Sequence, residues 1–203
     1  MATVVLNPSS WLISVLYEPF LNTVSPAGHS AICADHPSLD PVDPTTAGCK
    51  ADADALSKIL PPFVNYEGPD VLLVMHSYSG MPCAAATKGL SRTECLGQGE
   101  VSESLLCWIL PNKLPPNLNI PEDCVANFTA TIDKELLRSL KAYIKRRITW
   151  ADDAYAARLS AIVTTADATV PKDAQYGIVA VTQEWFVEEL DACHCAPFIS
   201  SLA

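Results

Sequence analysis

Positive charge is scarce in this sequence. Its 13 lysine and arginine side chains stand against 23 aspartates and glutamates, which gives a formal net charge of −10. This balance makes nucleic acid and anionic membrane surfaces poor partners. No apolar run reaches the length of a membrane span. The opening residues MATVVLNPSSWLIS lack the basic segment of a secretory signal, so we expect a cytoplasmic protein.

Metal-ligand spacing is also missing. The eight cysteines include no C-x-x-C pair. The C-H-C run at Cys193–Cys195 would place its histidine and its cysteines on opposite faces of an extended segment. Without a secretory route, we expect free thiols rather than disulfides. We therefore predict neither a metal nor a cofactor.

The sequence does contain a regular alternation of elements. Its 203 residues, 49% of them hydrophobic, are enough for one sizeable core, so we predict a single domain over 1–203. Short apolar runs alternate with segments of helical spacing, which predicts an α/β fold: a mostly parallel central sheet with helices on both faces. A short cap or insert region is expected at about 111–150. The predicted strands are 2–6, 29–35, 70–75, 104–110, 159–167 and 184–190.

One stretch, DVLLVMHSYSGMPCAAATKG, changes character abruptly. A strand-like apolar run ends in small polar residues and passes at once into an alanine-rich helical segment. Such a strand–turn–helix resembles the nucleophile elbow G-x-S-x-G and makes Ser77 the candidate nucleophile. Met75 and Ser79 stand where that pattern has glycine. An ordinary serine in a strand-to-helix loop is the alternative reading.

A serine hydroxyl needs a base, and the base needs an orienting acid. Of the four histidines, His29, His36 and His76 precede or adjoin the serine, and only His194 follows the last predicted strand. Asp167 stands at the end of the strand before that one. The order Ser77, Asp167, His194 is the one this kind of fold uses. Asp173 and Asp191 are alternative acids.

With these residues in view, the chain resembles the α/β-hydrolase superfamily, and within it a small fungal branch whose elbow is written V-M-H-S-Y-G-G. The segment VLLVMHSYSGMPCAAATKGLS carries the closest likeness. TTADATVP and LDACHCAPFIS resemble that branch's acid segment T-x-D-x-x-L-P and its histidine segment D-x-G-H-x-P-F. The resemblance covers most of the chain and implies the α/β-hydrolase fold with a Ser77, Asp167 and His194 triad.

Three departures accompany the resemblance. The family's loop P-G-A-W, which helps to form the oxyanion hole, is here Pro8-Ser9-Ser10-Trp11. The implied hole would use the backbone N–H groups of Ser10 and Tyr78. Cys193 replaces the glycine before the histidine. The cap is expected to be reduced, which predicts an open site or one covered by a partner subunit.

The resemblance implies a carboxylic ester hydrolase-like enzyme acting on an ester, thioester or lactone of small size. One alternative is a non-hydrolytic enzyme of fungal natural-product (secondary) metabolism that carries out cyclisation, elimination or epoxide opening by acid/base catalysis. A non-catalytic interaction protein is a further alternative. We expect Ser9, Trp11 and His76 to contact substrate, and both a monomer and a homodimer stay open.

Overall fold

The computed structural model describes residues 2–10, 12–65, 71–90, 101–106, 159–180 and 185–199. In these residues an α-helix follows every strand except the fourth. The strands are β1 (Thr3–Asn7), β2 (Ser30–Cys33), β3 (Val71–His76), β4 (Val101–Leu106), β5 (Leu159–Thr164) and β6 (Trp185–Leu190). The α-helices are α1 (Glu18–Val24), α2 (Cys49–Asn65), α3 (Gly80–Ala86), α4 (Lys172–Val179) and α5 (Ala196–Ile199).

All six strands pair in parallel in one sheet, in the order β2-β1-β3-β4-β5-β6. The chain steps outward from β1 to β2 and then crosses back over β1 to β3. The crevice between the carboxyl ends of β1 and β3 is therefore the point where the strand order reverses. In open parallel sheets, ligands bind at that point. The predicted parallel sheet is confirmed.

Two apolar layers cover the two faces of the sheet, as expected for strands that are buried on both sides. One layer joins Val5, Leu73 and Met75 to side chains of α2 and α3. The other joins Leu6 and Val74 to Tyr17 and to side chains of α1. Because successive residues of a strand point to opposite faces, neighbours in β1 and β3 enter different layers. His76, the last residue of β3, falls on the Tyr17 side.

Helix α2 runs through Pro61 and Pro62, whereas the sequence pattern predicts that the helix ends before them. A proline inside a helix costs about 3 kcal/mol because it removes a hydrogen bond and crowds the preceding turn. Leu60 and Val64, on either side of the pair, are both 0% exposed. Burying both side chains contributes about 3–6 kcal/mol, which is comparable with the cost of about 6 kcal/mol for two prolines.

The fourth strand lies earlier than predicted, at Val101–Leu106 rather than 104–110. Pairing with β3 fixes its register, because His76 is opposite Leu106. The predicted cap at 111–150 lies outside the described residues. Among the helices that the structure describes, none combines the length and the apolar character needed to cross a bilayer.

Candidate active site

Ser77 occupies a sharp turn between β3 and α3. Residues Ser77–Ser79 form a single 3-10 turn, and α3 begins directly at Gly80. Ser77 has φ 53° and is the one non-glycine residue with positive φ in the described part of the chain. This left-handed conformation is costly for a residue with a Cβ and persists only where the surrounding fold enforces it. The turn therefore has the form of the predicted elbow.

The structure brings His194 to this serine. His194 lies between β6 and α5, and its Nε2 is 2.8 Å from Ser77 Oγ. Backbone hydrogen bonds tie the loops after β5 and β6 together, from Thr165 N–H to the Leu190 carbonyl and from Ala166 N–H to the Ala192 carbonyl. These bonds fix the loop that carries the imidazole.

Asp167 lies on the far side of the imidazole, with Oδ2 2.8 Å from His194 Nδ1. Its other oxygen, Oδ1, accepts the backbone N–H groups of Thr169 and Val170 at 2.8 Å each. Burial alone would raise the pKa of Asp167. The hydrogen bonds from His194, Val170 and Thr169 outweigh burial and hold that pKa below its usual value. The carboxyl group is therefore an anion.

The anion also fixes the tautomer of His194. A carboxylate can only accept, so Nδ1 carries the hydrogen of the neutral ring and donates it to Asp167. Nε2 is then left with a lone pair facing Ser77 Oγ, whose hydroxyl donates to it. This arrangement allows proton transfer from the serine to the imidazole.

The alternative residues lie elsewhere. Asp173 is in the first turn of α4, and Asp191 accepts a hydrogen bond from Thr165 Oγ1 at 3.2 Å. His36 donates from Nε2 to the Pro8 carbonyl at 3.0 Å. The exposed His29 accepts at Nδ1 from Ala2 N–H at 3.1 Å. Of the candidate acids, only Asp167 bonds to His194.

The loop after β1 is anchored against the elbow. Ser79, which stands where the pattern has glycine, is 0% exposed. Its Oγ lies 2.8 Å from the carbonyl oxygens of Asn7, Pro8 and His76, and its single hydrogen can bond to one of them at a time. The hydroxyl therefore joins the elbow to the predicted oxyanion loop, which explains why a serine fits here. Sequence reasoning missed this role.

The Tyr78 side chain points into the protein. It is 5% exposed, and its hydroxyl donates to Asp52 Oδ2 at 2.5 Å. Burial, followed by the nearby Cys49 and Asp52, raises the pKa of Tyr78 far above its usual value, so the phenol keeps its proton. Asp52 also accepts from Ser38 N–H at 2.9 Å. The side chain serves as an anchor, and only the backbone N–H of Tyr78 is a candidate oxyanion donor.

The predicted substrate-contact residues have different surroundings in the structure. Ser9 is 6% exposed and donates its N–H to Tyr17 Oη at 2.8 Å, which leaves Ser10 as the predicted oxyanion donor of this loop. His76 is 0% exposed, and both its ring nitrogens bond to protein groups. It therefore lies beneath the site rather than on its wall. Trp11 lies outside the described residues.

No described group of three or more His, Cys, Asp or Glu side chains is arranged to hold a metal ion. Cys193 and Cys195, which flank His194, are half-buried free thiols. The groups that lie in series at the site are the hydroxyl of Ser77, the imidazole of His194 and the carboxylate of Asp167.

Comparisons with solved structures agree on the fold, whereas comparisons with protein sequences found no match. No family model and no curated protein sequence matches the chain. Among solved structures, the pyrethroid hydrolase from Sphingobium faniae JZ-2 superposes with a TM-score of 0.71 at 12% identity, over 99% of this chain and 93% of that one. A variant of polyneuridine aldehyde esterase gives 0.72 at 13% identity, over 99% and 94%. An extracellular α/β-hydrolase from a Paenibacillus species gives 0.61 at 10% identity, over 100% and 96%.

These likenesses, together with the parallel sheet, show that the chain has the α/β-hydrolase fold.

Proposed function

We propose that the protein is a serine hydrolase that cleaves small carboxylic esters, thioesters or lactones. The observation that carries the proposal is the 2.8 Å separation of Ser77 Oγ and His194 Nε2. The ring's other nitrogen is bonded to an ionised carboxylate, Asp167. Two of the proteins with similar folds are named as a hydrolase and an esterase, which supports ester chemistry.

In the proposed reaction Ser77 Oγ attacks the carbonyl carbon while His194 Nε2 takes the hydroxyl proton. Asp167 stabilises the imidazolium that forms and holds its orientation. The imidazolium then gives its proton to the leaving alcohol or thiol, and an acyl-serine remains. Water, deprotonated by the same imidazole, hydrolyses the acyl group and restores the serine.

The developing oxyanion would be stabilised by the backbone N–H groups of Ser10 and Tyr78. The two lie on separate segments, one after β1 and the other after β3, whose carboxyl ends are adjacent in the sheet. Each such donor is worth about 10²–10³ in kcat. Ser79 and His36, which bond to the loop carbonyls, would keep these donors in place.

We also place the protein, by the segments VMHSYSG, TTADATVP and DACHCAPF, in the small fungal branch of this superfamily. A cytoplasmic location and a reduced cap belong to the same proposal. So do substrate contacts at Ser9 and Trp11.

The test is hydrolysis of a panel of short-chain aryl esters, aryl thioesters and lactones. The wild-type protein should turn over at least one class, with a burst of the leaving group as the acyl-serine forms. Ser77→Ala should lower kcat by about 10⁶, as loss of the serine does in other triad hydrolases. The matched control Ser57→Ala removes an exposed hydroxyl of α2 and should leave the rate unchanged. Equal rates in the wild type and Ser77→Ala would refute the proposal.

A further inference from the structure

A second buried series of hydrogen bonds runs beneath the site. Ser9 N–H lies 2.8 Å from Tyr17 Oη. Tyr17 Oη lies 2.6 Å from His76 Nδ1. His76 Nε2 lies 2.9 Å from the carbonyl oxygen of His194. Tyr17 and His76 are both 0% exposed, so water does not compete for the bond between them, whereas the bond to the His194 carbonyl is partly buried.

The two ends of the series fix the direction of every hydrogen in it. A backbone N–H can only donate and a carbonyl can only accept. His76 Nε2 must therefore carry the hydrogen given to His194. In the neutral ring Nδ1 then has a lone pair, which accepts from Tyr17, and the Tyr17 oxygen accepts from Ser9 N–H. Each hydrogen bond in the series then has one donor and one acceptor, and all of them point from Ser9 toward His194.

Protonation of His76 would disrupt this arrangement of donors and acceptors. With hydrogens on both ring nitrogens, Nδ1–H and Ser9 N–H would both point at the Tyr17 oxygen, and the Tyr17 hydroxyl could no longer donate to His76. Burial lowers the pKa of His76 to about 4, in agreement with a neutral ring.

The series connects the parts of the proposed catalytic site that come from distant segments. Ser9 adjoins Ser10 in the oxyanion loop, and His76 adjoins Ser77. The carbonyl at the other end belongs to His194 itself, 118 positions from His76. We propose that Tyr17 and His76 are positioning residues that hold the oxyanion loop and the His194 backbone at fixed places on either side of Ser77. This inference rests on the proposed function.

A purely structural role makes a different prediction. If Tyr17 only filled the core, phenylalanine would serve equally well, because its ring packs against His76 at the same place. If the hydroxyl sets the geometry of the site, Tyr17→Phe should lower kcat for the best ester about 10- to 100-fold, as small misplacements do. KM should stay within about twofold, because Tyr17 does not touch substrate.

Tyr176→Phe is the matched control. It removes a hydroxyl that donates to Glu189 at 2.6 Å on an exposed face of α4. The control should keep wild-type kcat and KM. The folded fraction of each variant, measured by thermal unfolding, separates a loss of geometry from a loss of protein.

A readout on the unmutated protein completes the test. In ¹⁵N NMR spectra near neutral pH, His76 should show a protonated Nε2 and an unprotonated Nδ1, and the Nδ1 signal should move in Tyr17→Phe. A charged ring or an Nδ1–H tautomer in the wild type would overturn the inference. Wild-type kcat in Tyr17→Phe would also overturn it. Activity that Ser77→Ala abolishes but Tyr17→Phe leaves intact would reject this inference alone, whereas activity retained in Ser77→Ala would reject the proposed function.

Discussion

Two histidines lie side by side in this site, with ring centroids 5.5 Å apart, and their surroundings differ. His194 bonds to the carboxylate of Asp167 and to the hydroxyl of Ser77, and its side chain is 16% exposed. His76 bonds to a phenol and to a backbone carbonyl, and it is fully buried.

The difference shows how hydrogen-bond partners divide the work between two identical side chains. The Tyr17 phenol and the His194 carbonyl that bond to His76 carry no charge, and burial disfavours its protonated form. His194 has an anion on one nitrogen, which favours the imidazolium that proton transfer creates, and a hydroxyl on the other. We therefore assign proton transfer to His194 and positioning to His76.

Among variants that change the surroundings of the two histidines, Asp167→Asn should have the largest effect on kcat. The amide removes the charge and can hold His194 in the wrong tautomer, so kcat should fall by about 10⁴. Steady-state kinetics on the best ester measures the change. Asp173→Asn, on the first turn of α4, is the matched control and should be nearly silent. Similar losses in both variants would remove the basis for assigning the acid to Asp167.

A smaller effect is expected in the pH dependence of stability, to which His76 contributes. Its pKa is lowered from 6.5 to about 4 in the folded protein, so between these values the folded state binds fewer protons than the unfolded state. Stability should therefore fall as the pH falls from about 6.5 to 4, by about 3 kcal/mol from this group. Tyr17, His194 and Asp167 are titratable groups near it among the described residues, and the lowered pKa of Asp167 acts at still lower pH.

Urea unfolding at a series of pH values measures this dependence. His76→Gln cannot titrate, so its stability should change less steeply with pH than that of the wild type. Burial also lowers the pKa of His36, which contributes in the same direction in both proteins and cancels in the comparison. A wild-type slope in His76→Gln would show that His76 is not held neutral by the fold.

The candidate catalytic residues could be predicted from the sequence because their order along the chain and their positions relative to the strands are characteristic. Ser77, Asp167 and His194 each lie at or just beyond the carboxyl end of a predicted strand, and parallel strands bring these ends to one edge of a sheet. The elbow was visible because its residues are consecutive.

Other features could not be predicted, because they depend on contacts between distant segments. Tyr17 and His76 are 59 positions apart, and no local pattern pairs them. Ser79 was visible only as a departure from glycine, since two of its three acceptors, the carbonyls of Asn7 and Pro8, lie on a distant segment of the chain. Helix α2 passes its two prolines because of core burial, which a rule based on local sequence does not include.

Labelling with a fluorophosphonate, located by mass spectrometry of the peptides, tests most directly whether His194 activates Ser77. We expect one label per chain, on Ser77. His194→Gln should abolish labelling, whereas His76→Gln should label more slowly but to completion, because glutamine can still donate to the His194 carbonyl. A label on another residue would show that Ser77 is not the nucleophile. Equal labelling rates in His194→Gln and the wild type would show that His194 does not activate Ser77.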